Sequence, residues 1–201
     1  MLRKYQCEAV EATMTWLSSP LTRKRGGVIV APTGSGKSHI IAEICIKWIE
    51  NEKNGIIIIL TSSREIIQQD AQILHDAGIP VGICCAGLGR YDSPNQGKYR
   101  VILASPYSIH PENIQGAEAS SALIIIDEAH KVNISDNNTI FRRVISVVRT
   151  IWPNTNLIGL TATPWRLKEG DITQNRIWPD TIYQITTRVL VEEGYLVPIL
   201  P

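Results

Sequence analysis

The sequence lacks the features that define several large classes of protein. Its 20 basic and 19 acidic residues leave a net charge of +1, which is too small for an overall attraction to nucleic acid. The longest purely aliphatic run, residues 56–60, is far too short to span a membrane. The first ten residues lack the apolar stretch of a secretory signal. We therefore expect a cytoplasmic protein with no membrane partner, in which any contact with nucleic acid is local.

The four cysteines also lack the spacing of a structural site. Cys7, Cys45, Cys84 and Cys85 contain no CxxC pair, and the last two are adjacent. Neither a zinc site nor a disulfide framework is therefore predicted. We expect all four side chains to be buried, reduced thiols.

Length and hydrophobic pattern predict one α/β domain. A chain of 201 residues buries roughly 70% of its extended surface and needs no cross-link to fold. Aliphatic strands are predicted over residues 28–31, 56–60, 81–85, 101–104, 123–126, 157–160 and 181–185. Helices are predicted over residues 3–17, 38–49, 63–77, 138–151 and 187–193. This alternation indicates a parallel sheet with helices on both faces. Residues 87–97 are predicted to form a polar loop and residues 165–180 a mobile loop.

Residues 31–38, with the sequence APTGSGKS, lie between a predicted strand and a predicted helix, which is the context of a P-loop. Gly34 and Gly36 allow backbone N–H groups to approach phosphate oxygens, and the helix N-terminus adds positive potential. Lys37 is predicted to contact the β- and γ-phosphates and Ser38 to bind Mg²⁺. Ala31 departs from the glycine of the strict pattern. The predicted nucleotide-binding residues of this loop are Pro32, Thr33, Gly34, Ser35, Gly36, Lys37 and Ser38.

A second segment, residues 123–130 (LIIIDEAH), places two carboxylates at the end of an aliphatic strand. In a parallel sheet this is the edge at which ligands bind. We predict that Asp127 holds Mg²⁺ together with Ser38, and that Glu128 orients and deprotonates the attacking water. The alternative is a solvated acidic loop after a strand. The presence of a phosphate-binding loop in the same sequence makes this alternative weaker. The predicted catalytic residues are thus Glu128, Asp127 and Lys37.

Five segments, in this order along the chain, resemble the motifs of superfamily 2 helicases. APTGSGKS and DEAH resemble motifs I and II, and TATP at residues 161–164 resembles motif III. LRKYQ at residues 2–6 resembles the Q motif, which recognises adenine, and TSSRE at residues 61–65 resembles motif Ia. The resemblance covers nearly the whole chain. It implies a RecA-like P-loop NTPase domain that uses ATP and Mg²⁺ to act on nucleic acid.

Three further stretches resemble a narrower group within these helicases. Residues 86–90 (AGLGR), 159–167 (GLTATPWRL) and 193–198 (EGYLVP) resemble the RadD-type DNA-repair helicases of bacteria, and motor subunits of restriction enzymes are similar too. This likeness favours DNA over RNA and a role in DNA repair or processing. It places a first RecA-like domain at residues 1–195 and a linker toward a second one at residues 196–201. Because that second domain supplies an arginine finger, we expect this chain alone to bind ATP weakly and to hydrolyse it poorly.

The helicase resemblance also implies roles for residues outside the P-loop and the carboxylate pair. Gln6 would form a hydrogen bond with the edge of adenine, and Arg3 would lie near the nucleotide. Without the resemblance, Gln6 also fits an exposed residue of a helix. His130, Thr161 and Thr163 would link the ATP site to nucleic acid, although His130 by itself also fits a structural histidine.

Contacts with nucleic acid are implied for segments that follow strands. The candidate residues are Thr61, Ser62, Arg64, Ser105 and Arg166. Hydroxyl and backbone N–H groups suit phosphate contact without sequence reading. Trp165 either stacks on a base or packs beneath its own loop.

Two other functions are compatible with the sequence. A nucleotide-gated regulatory module would use the same phosphate-binding loop, but it needs no water-activating carboxylate such as Glu128. A small-molecule P-loop kinase would leave DEAH and TATP unexplained, and no arginine-rich lid is visible. A nucleic-acid motor is therefore the leading hypothesis, and these motifs do not separate DNA from RNA.

Overall fold

Aliphatic strands form the centre of the structure. The computed structural model describes residues 2–22, 24–132, 139–166, 170–174 and 176–197, without the side chains of Arg166 and Gln174. Within these ranges the strands are β1 (Gly26–Val30), β2 (Gly55–Leu60), β3 (Val81–Cys85), β4 (Arg90–Tyr91), β5 (Val101–Ala104), β6 (Ser121–Asp127), β7 (Asn156–Thr161), β8 (Trp165–Arg166), β9 (Gly170–Asp171) and β10 (Asp180–Gln184). The helices are α1 (Lys4–Ser18), α2 (Lys37–Asn51), α3 (Arg64–Asp76), α4 (Pro111–Ile114), α5 (Ile140–Ile151) and α6 (Thr187–Glu192).

The order of the strands decides which loops meet. In the described part of the chain, eight strands form one sheet in the order β10-β1-β7-β6-β2-β5-β3-β4, and β8 pairs separately with β9. The neighbours in the large sheet are parallel except β3 with β4. The parallel strands therefore end at one common edge, which we call the C-terminal edge. The loops after β1, β7, β6, β2 and β5 follow one another along this edge.

Successive residues of the central strands face two different apolar layers. In β2, Ile56, Ile58 and Leu60 pack into the layer that contains the buried side chains of α5. Ile57 and Ile59 pack into the layer that contains those of α1, α2 and α3. Because both faces of such a strand are buried, its sequence is unbroken and aliphatic. This arrangement confirms the predicted α/β fold with helices on both faces of a mostly parallel sheet.

The predicted strands and helices are present, with ends within two residues of the predicted ones wherever those ends are described. The predicted helix start near residue 138 and residues 198–201 of the predicted linker lie outside the described residues. The predicted polar loop at residues 87–97 contains the short strand β4. Among the described residues, no helix combines the length and the apolar character needed to cross a membrane.

The prediction of a mobile loop at residues 165–180 is wrong for the part that is described. It contains β8 and β9, and the side chain of Trp178 is fully buried. A Cβ placed on Gly159 of β7 would lie 2.7 Å from the Trp178 ring, and one placed on Gly26 of β1 would lie 3.2 Å from it. The two glycines thus leave space on the sheet for the indole. A glycine inside an aliphatic strand is a signal of such a close approach.

Three of the four cysteines confirm the expected burial. Cys45, Cys84 and Cys85 are buried, whereas Cys7 is exposed. The prediction is wrong for Cys7 because the buried stripe of α1 includes Val10 and excludes position 7. Burial raises the pKa of the Cys45 thiol, and it raises that of Cys84 to about 11. Both therefore stay in the unreactive thiol form at neutral pH.

Candidate functional site

The loop between β1 and α2 has the backbone that phosphate binding requires. Gly34 and Gly36 have φ angles of 81° and 73°, in the left-handed region that favours glycine. Gly36 is also the N-cap of α2, so the helix begins at Lys37. The unpaired N–H groups of the first helical turn therefore lie beside the loop, at the C-terminal edge of the sheet.

Two neighbouring side chains of α1 anchor this loop. The Tyr5 hydroxyl and the Gln6 Nε2 group both donate to the carbonyl oxygen of Ser35, at 2.6 and 2.9 Å. The Gln6 Oε1 atom accepts a bond from the backbone N–H of Arg3 at 2.8 Å. Because Gln6 is only 5% exposed, the alternative of an exposed helix residue is wrong. Its contact with adenine stays a prediction, and both ends of its amide already have partners within the protein.

Arg3 lies at the same corner of the site. Its guanidinium carbon is 5.3 Å from the centroid of the Tyr195 ring, and its Nη1 group donates to the Tyr5 hydroxyl oxygen at 3.3 Å. The rings of Tyr5 and Tyr195 meet edge to face, with centroids 5.2 Å apart. Neither tyrosine was among the predicted site residues, although Tyr5 precedes Gln6 and Tyr195 belongs to the EGYLVP stretch. The two rings give Arg3 a defined position next to the phosphate-binding loop.

The carboxylate pair stands at the end of β6. Asp127 is buried, and its Oδ1 atom has no hydrogen-bond partner. Glu128 follows with φ 61° and ψ 53°, a left-handed conformation that is uncommon for any residue other than glycine. Backbone outliers of this kind are typical of functional sites, where they fix the direction of a side chain.

His130 joins three of the predicted site residues. Its Nδ1 atom lies 3.1 Å from the Glu128 Oε2 atom and 3.0 Å from the Thr161 hydroxyl oxygen. The Thr163 hydroxyl oxygen is 3.3 Å from the same nitrogen. This cluster exists because β6 and β7 are adjacent in the sheet, so that the loops after them meet. The predicted coupling residues are thus brought together, and their role in coupling stays a prediction.

Lys131 makes a connection that was not predicted. Its Nζ group donates to the Ser62 hydroxyl oxygen at 2.9 Å. The bond joins the loop after β6 to the loop after β2, which is the next strand in the sheet. Lys131 follows DEAH directly, but the strand order that brings it to Ser62 was unknown from the sequence.

The residues predicted to contact nucleic acid differ in their exposure. Thr61 and Ser105 are buried, whereas Arg64 is exposed. The side chain of Arg166 lies outside the described residues. Trp165 is 69% exposed, so the alternative that it packs beneath its own loop is wrong. Contact of these side chains with nucleic acid stays a prediction.

Comparison with known proteins identifies the family. The family described as "Type III restriction enzyme, res subunit" (ResIII) matches residues 1–166 of the chain. The chain belongs to the ResIII family.

The ResIII chain is similar to helicase proteins that are longer than it is. It is 25% identical to the protein named "Putative helicase 22" of Sulfolobus islandicus filamentous virus, over 98% of this chain and 34% of that protein. It is 26% identical to the DNA 3'-5' translocase XPB2 of Sulfurisphaera tokodaii, over 96% of this chain and 36% of that protein. The chain therefore spans about a third of the length of these two relatives.

Solved structures share the fold of the ResIII chain. The Hef helicase domain of Pyrococcus furiosus superposes with a TM-score of 0.64 and 19% identity, over 96% of this chain and 42% of that one. The Type ISP restriction-modification enzyme LlaGI, in complex with a DNA substrate mimic, gives 0.68 and 15% identity, over 97% of this chain and 21% of that one. These neighbours confirm the RecA-like α/β architecture.

The ResIII site offers oxygen donors that fit Mg²⁺. The Oδ1 atom of Asp127 lacks a partner, and Ser38 supplies a hydroxyl in the first turn of α2. Carboxylate and hydroxyl oxygens are the donors that this hard cation prefers. In the described part of the chain no group of three or more His, Cys, Asp or Glu side chains is arranged to hold a metal ion. A cation here would therefore depend on nucleotide phosphates and water as well as on Ser38 and Asp127.

The ionisation of Asp127 predicts how the stability of the ResIII chain depends on pH. Burial, the charge of Asp70 and the charge of Glu128 raise its pKa from 3.8 to about 6, and Lys37 opposes them. Between these values the folded state holds a proton that the unfolded state has lost, so this carboxyl group destabilises the fold as the pH rises through about 6. We expect Asp127→Asn to raise the free energy of unfolding at pH 7.5 by about 2–3 kcal/mol.

The measurement is urea unfolding of both proteins between pH 4 and pH 8 without divalent cations. The difference between them is expected to shrink as the pH falls below about 6. Asp76→Asn, which changes an exposed carboxylate on α3, serves as the control. A stability difference that stays constant across this range contradicts the prediction.

Proposed function

We propose that this ResIII chain is the N-terminal ATP-binding motor domain of a superfamily 2 DNA helicase or translocase. The observation that carries the proposal is the position of the His130 Nδ1 atom, which lies within 3.3 Å of oxygens of Glu128, Thr161 and Thr163. It connects the group that would activate water with the loop after β7. A module that only binds nucleotide has no need of such a connection.

ATP is the proposed nucleotide, and the loop between β1 and α2 is its proposed phosphate site. Lys37 would place its ammonium group on the β- and γ-phosphates, and the N–H groups of the glycine loop would surround them. Gln6 and Arg3, held against Ser35 and Tyr195, would lie at the adenine end. Both ends of the Gln6 amide have partners already, so adenine recognition requires one of these bonds to be exchanged or shared.

Hydrolysis is the proposed reaction of the carboxylate pair. Ser38 and Asp127 would hold Mg²⁺, which when bound neutralises negative charge on the phosphates. Glu128 would orient a water and accept its proton as the oxygen attacks phosphorus. His130, within 3.1 Å of the Glu128 carboxylate, would respond to that charge and pass the change on through the two threonines.

A second RecA-like domain is the proposed partner for this reaction. The chain spans only 34% and 36% of the two curated relatives described above. We propose that residues 1–195 form the first domain and that residues 196–201 begin the linker. An arginine from the second domain would complete the site, because such a group contributes about 10³–10⁵ to the rate in related NTPases.

DNA is the proposed substrate. The likeness of residues 86–90, 159–167 and 193–198 to RadD-type helicases supports DNA, and so does a relative named as a DNA translocase. We propose a role in DNA repair or DNA processing in the cytoplasm. The alternative function, the motor part of a restriction enzyme, is supported by the family name. Ser62 and Arg64 after β2 are the proposed phosphate contacts, with Trp165 stacking on a base.

The test is the ATPase rate with Mg²⁺ in the presence and absence of single-stranded DNA, double-stranded DNA and RNA. The chain of 201 residues and a longer natural form are compared, each with its Lys37→Ala variant. We expect the longer form to turn over at least about 10³-fold faster than this chain and to be stimulated by DNA. Equal turnover by the two forms, lost in Lys37→Ala, contradicts the need for a second domain. If ATP binds but no nucleic acid stimulates turnover, the regulatory module is correct instead.

A further inference from the structure

Asp70 is a buried carboxylate that the proposed mechanism does not use. It lies on α3 in a stripe with Ile67 and Leu74, the other buried residues of that helix. Only 2% of Asp70 is exposed, and neither of its carboxylate oxygens has a hydrogen-bond partner. A leucine would fill such a position at lower cost, because a buried carboxylate without a partner loses its hydration and receives nothing in return. The carboxylate is therefore unexplained by packing.

The groups that act on Asp70 belong to the nucleotide site. Burial raises the pKa of Asp70, while the Ser38 hydroxyl and the charges of His39 and Lys37 lower it. These three residues form the beginning of α2. From the sheet, Asp127 is near enough for its own pKa to be raised by the Asp70 charge. Asp70 thus lies near the start of α2, against which α3 packs, and its charge acts on both residues that are proposed to hold Mg²⁺.

The Ser38 hydroxyl needs an acceptor for its proton. An oxygen that gives a lone pair to a cation must direct its hydrogen elsewhere, and a charged acceptor holds that orientation most strongly. We propose that Asp70 is a positioning residue of the nucleotide site, whose carboxylate accepts the Ser38 O–H bond and thereby turns the Ser38 oxygen toward Mg²⁺. In the structure neither Asp70 oxygen has a hydrogen-bond partner, so both are available to accept this bond. The inference rests on the proposed ATP-binding function.

The test is calorimetric binding of a non-hydrolysable ATP analogue to the 201-residue chain, with Mg²⁺ and with EDTA. For Asp70→Leu we expect the affinity with Mg²⁺ to fall by about 10-fold or more, and the affinity with EDTA to change less than about twofold. In a Ser38→Ala background the same substitution is expected to have no further effect with Mg²⁺. Asp76→Leu, which removes an exposed carboxylate of α3, is the matched control and should bind as the parent does.

A second variant and the melting temperature separate positioning from folding. Asp70→Asn keeps the shape of the side chain and a weaker acceptor. Its affinity for the nucleotide with Mg²⁺ should therefore lie between that of the parent and that of Asp70→Leu. Both variants should melt at or above the temperature of the parent, since an unpaired buried charge is removed. The inference is overturned if Asp70→Leu lowers the affinity equally with Mg²⁺ and with EDTA. It is also overturned if the effects of Asp70→Leu and Ser38→Ala on affinity are additive in the double variant. If the parent chain binds no nucleotide under either condition, the proposed function itself fails, and this inference falls with it.

Discussion

Replacing Glu128 with glutamine is expected to lower the ATPase rate of the two-domain form by about 10³-fold, within the usual range for loss of a general base. Glutamine keeps the length of the side chain and a carbonyl oxygen that can face His130, but its amide cannot take a proton from water. Glu128 lies beside Asp127, whose pKa its charge raises, so the substitution also makes the ionised form of Asp127 more favourable. Affinity for ATP with Mg²⁺ should therefore stay within about threefold of the parent or improve.

The experiment is steady-state ATPase with saturating DNA, together with equilibrium binding of the same nucleotide. Glu118→Gln is the matched control, because Glu118 is an exposed carboxylate in the loop that precedes the same strand, β6. Turnover by Glu128→Gln at more than a tenth of the parent rate would show that another group activates the water.

Replacing Lys37 with alanine is expected to weaken ATP binding at least about 30-fold, equivalent to about 2 kcal/mol for removal of one partner of a close charge pair. Lys37 begins α2 directly after Gly36, so its ammonium group would be positioned to reach the phosphates that the loop is proposed to bind. It also lowers the pKa values of Asp127 and Asp70. Its loss therefore leaves two buried carboxylates with less positive charge nearby, and their pKa values should rise further.

Binding of ATP and of ADP with Mg²⁺ measures this effect. Lys53→Ala, at an exposed position just before β2, should leave both affinities unchanged. Since the γ-phosphate contact is lost with the lysine, the penalty should be larger for ATP than for ADP. Equal penalties for the two nucleotides would place Lys37 away from the γ-phosphate.

Local patterns predicted the parts of this site that lie within single segments. The residues APTGSGKS between a strand and a helix predicted the glycine loop and the start of α2, and DEAH after an aliphatic strand predicted the position of the carboxylates. Contacts between segments depend on the order of strands, which periodicity does not encode. The meeting of His130 with Thr161 was available only through the helicase resemblance, and the bond of Lys131 to Ser62 was not available at all.

Some missed residues did leave a signal. Asp70 lies between Ile67 and Leu74 in the apolar stripe of α3. Because burial of an unpaired charge is costly, a charged residue at such a position indicates a role other than packing. Trp178 was assigned to a mobile loop because its partners, the glycines of β1 and β7, are far from it in sequence. The glycines of β1 and β7 signal a close approach to the sheet, but a local window does not show which distant side chain makes it.

The strand order also fixes distances that the loops themselves do not control. Three steps between neighbouring strands separate β1 from β2. At about 4.8 Å a step, the phosphate loop and the segment with Ser62 stand about 14 Å apart along the edge of the sheet. The hydrogen bonds between parallel strands fix both their spacing and their register, so this distance is constant. The spacing between the proposed nucleotide site and the proposed nucleic-acid contacts after β2 is therefore set by the backbone of the sheet, and it does not depend on which residues occupy either loop.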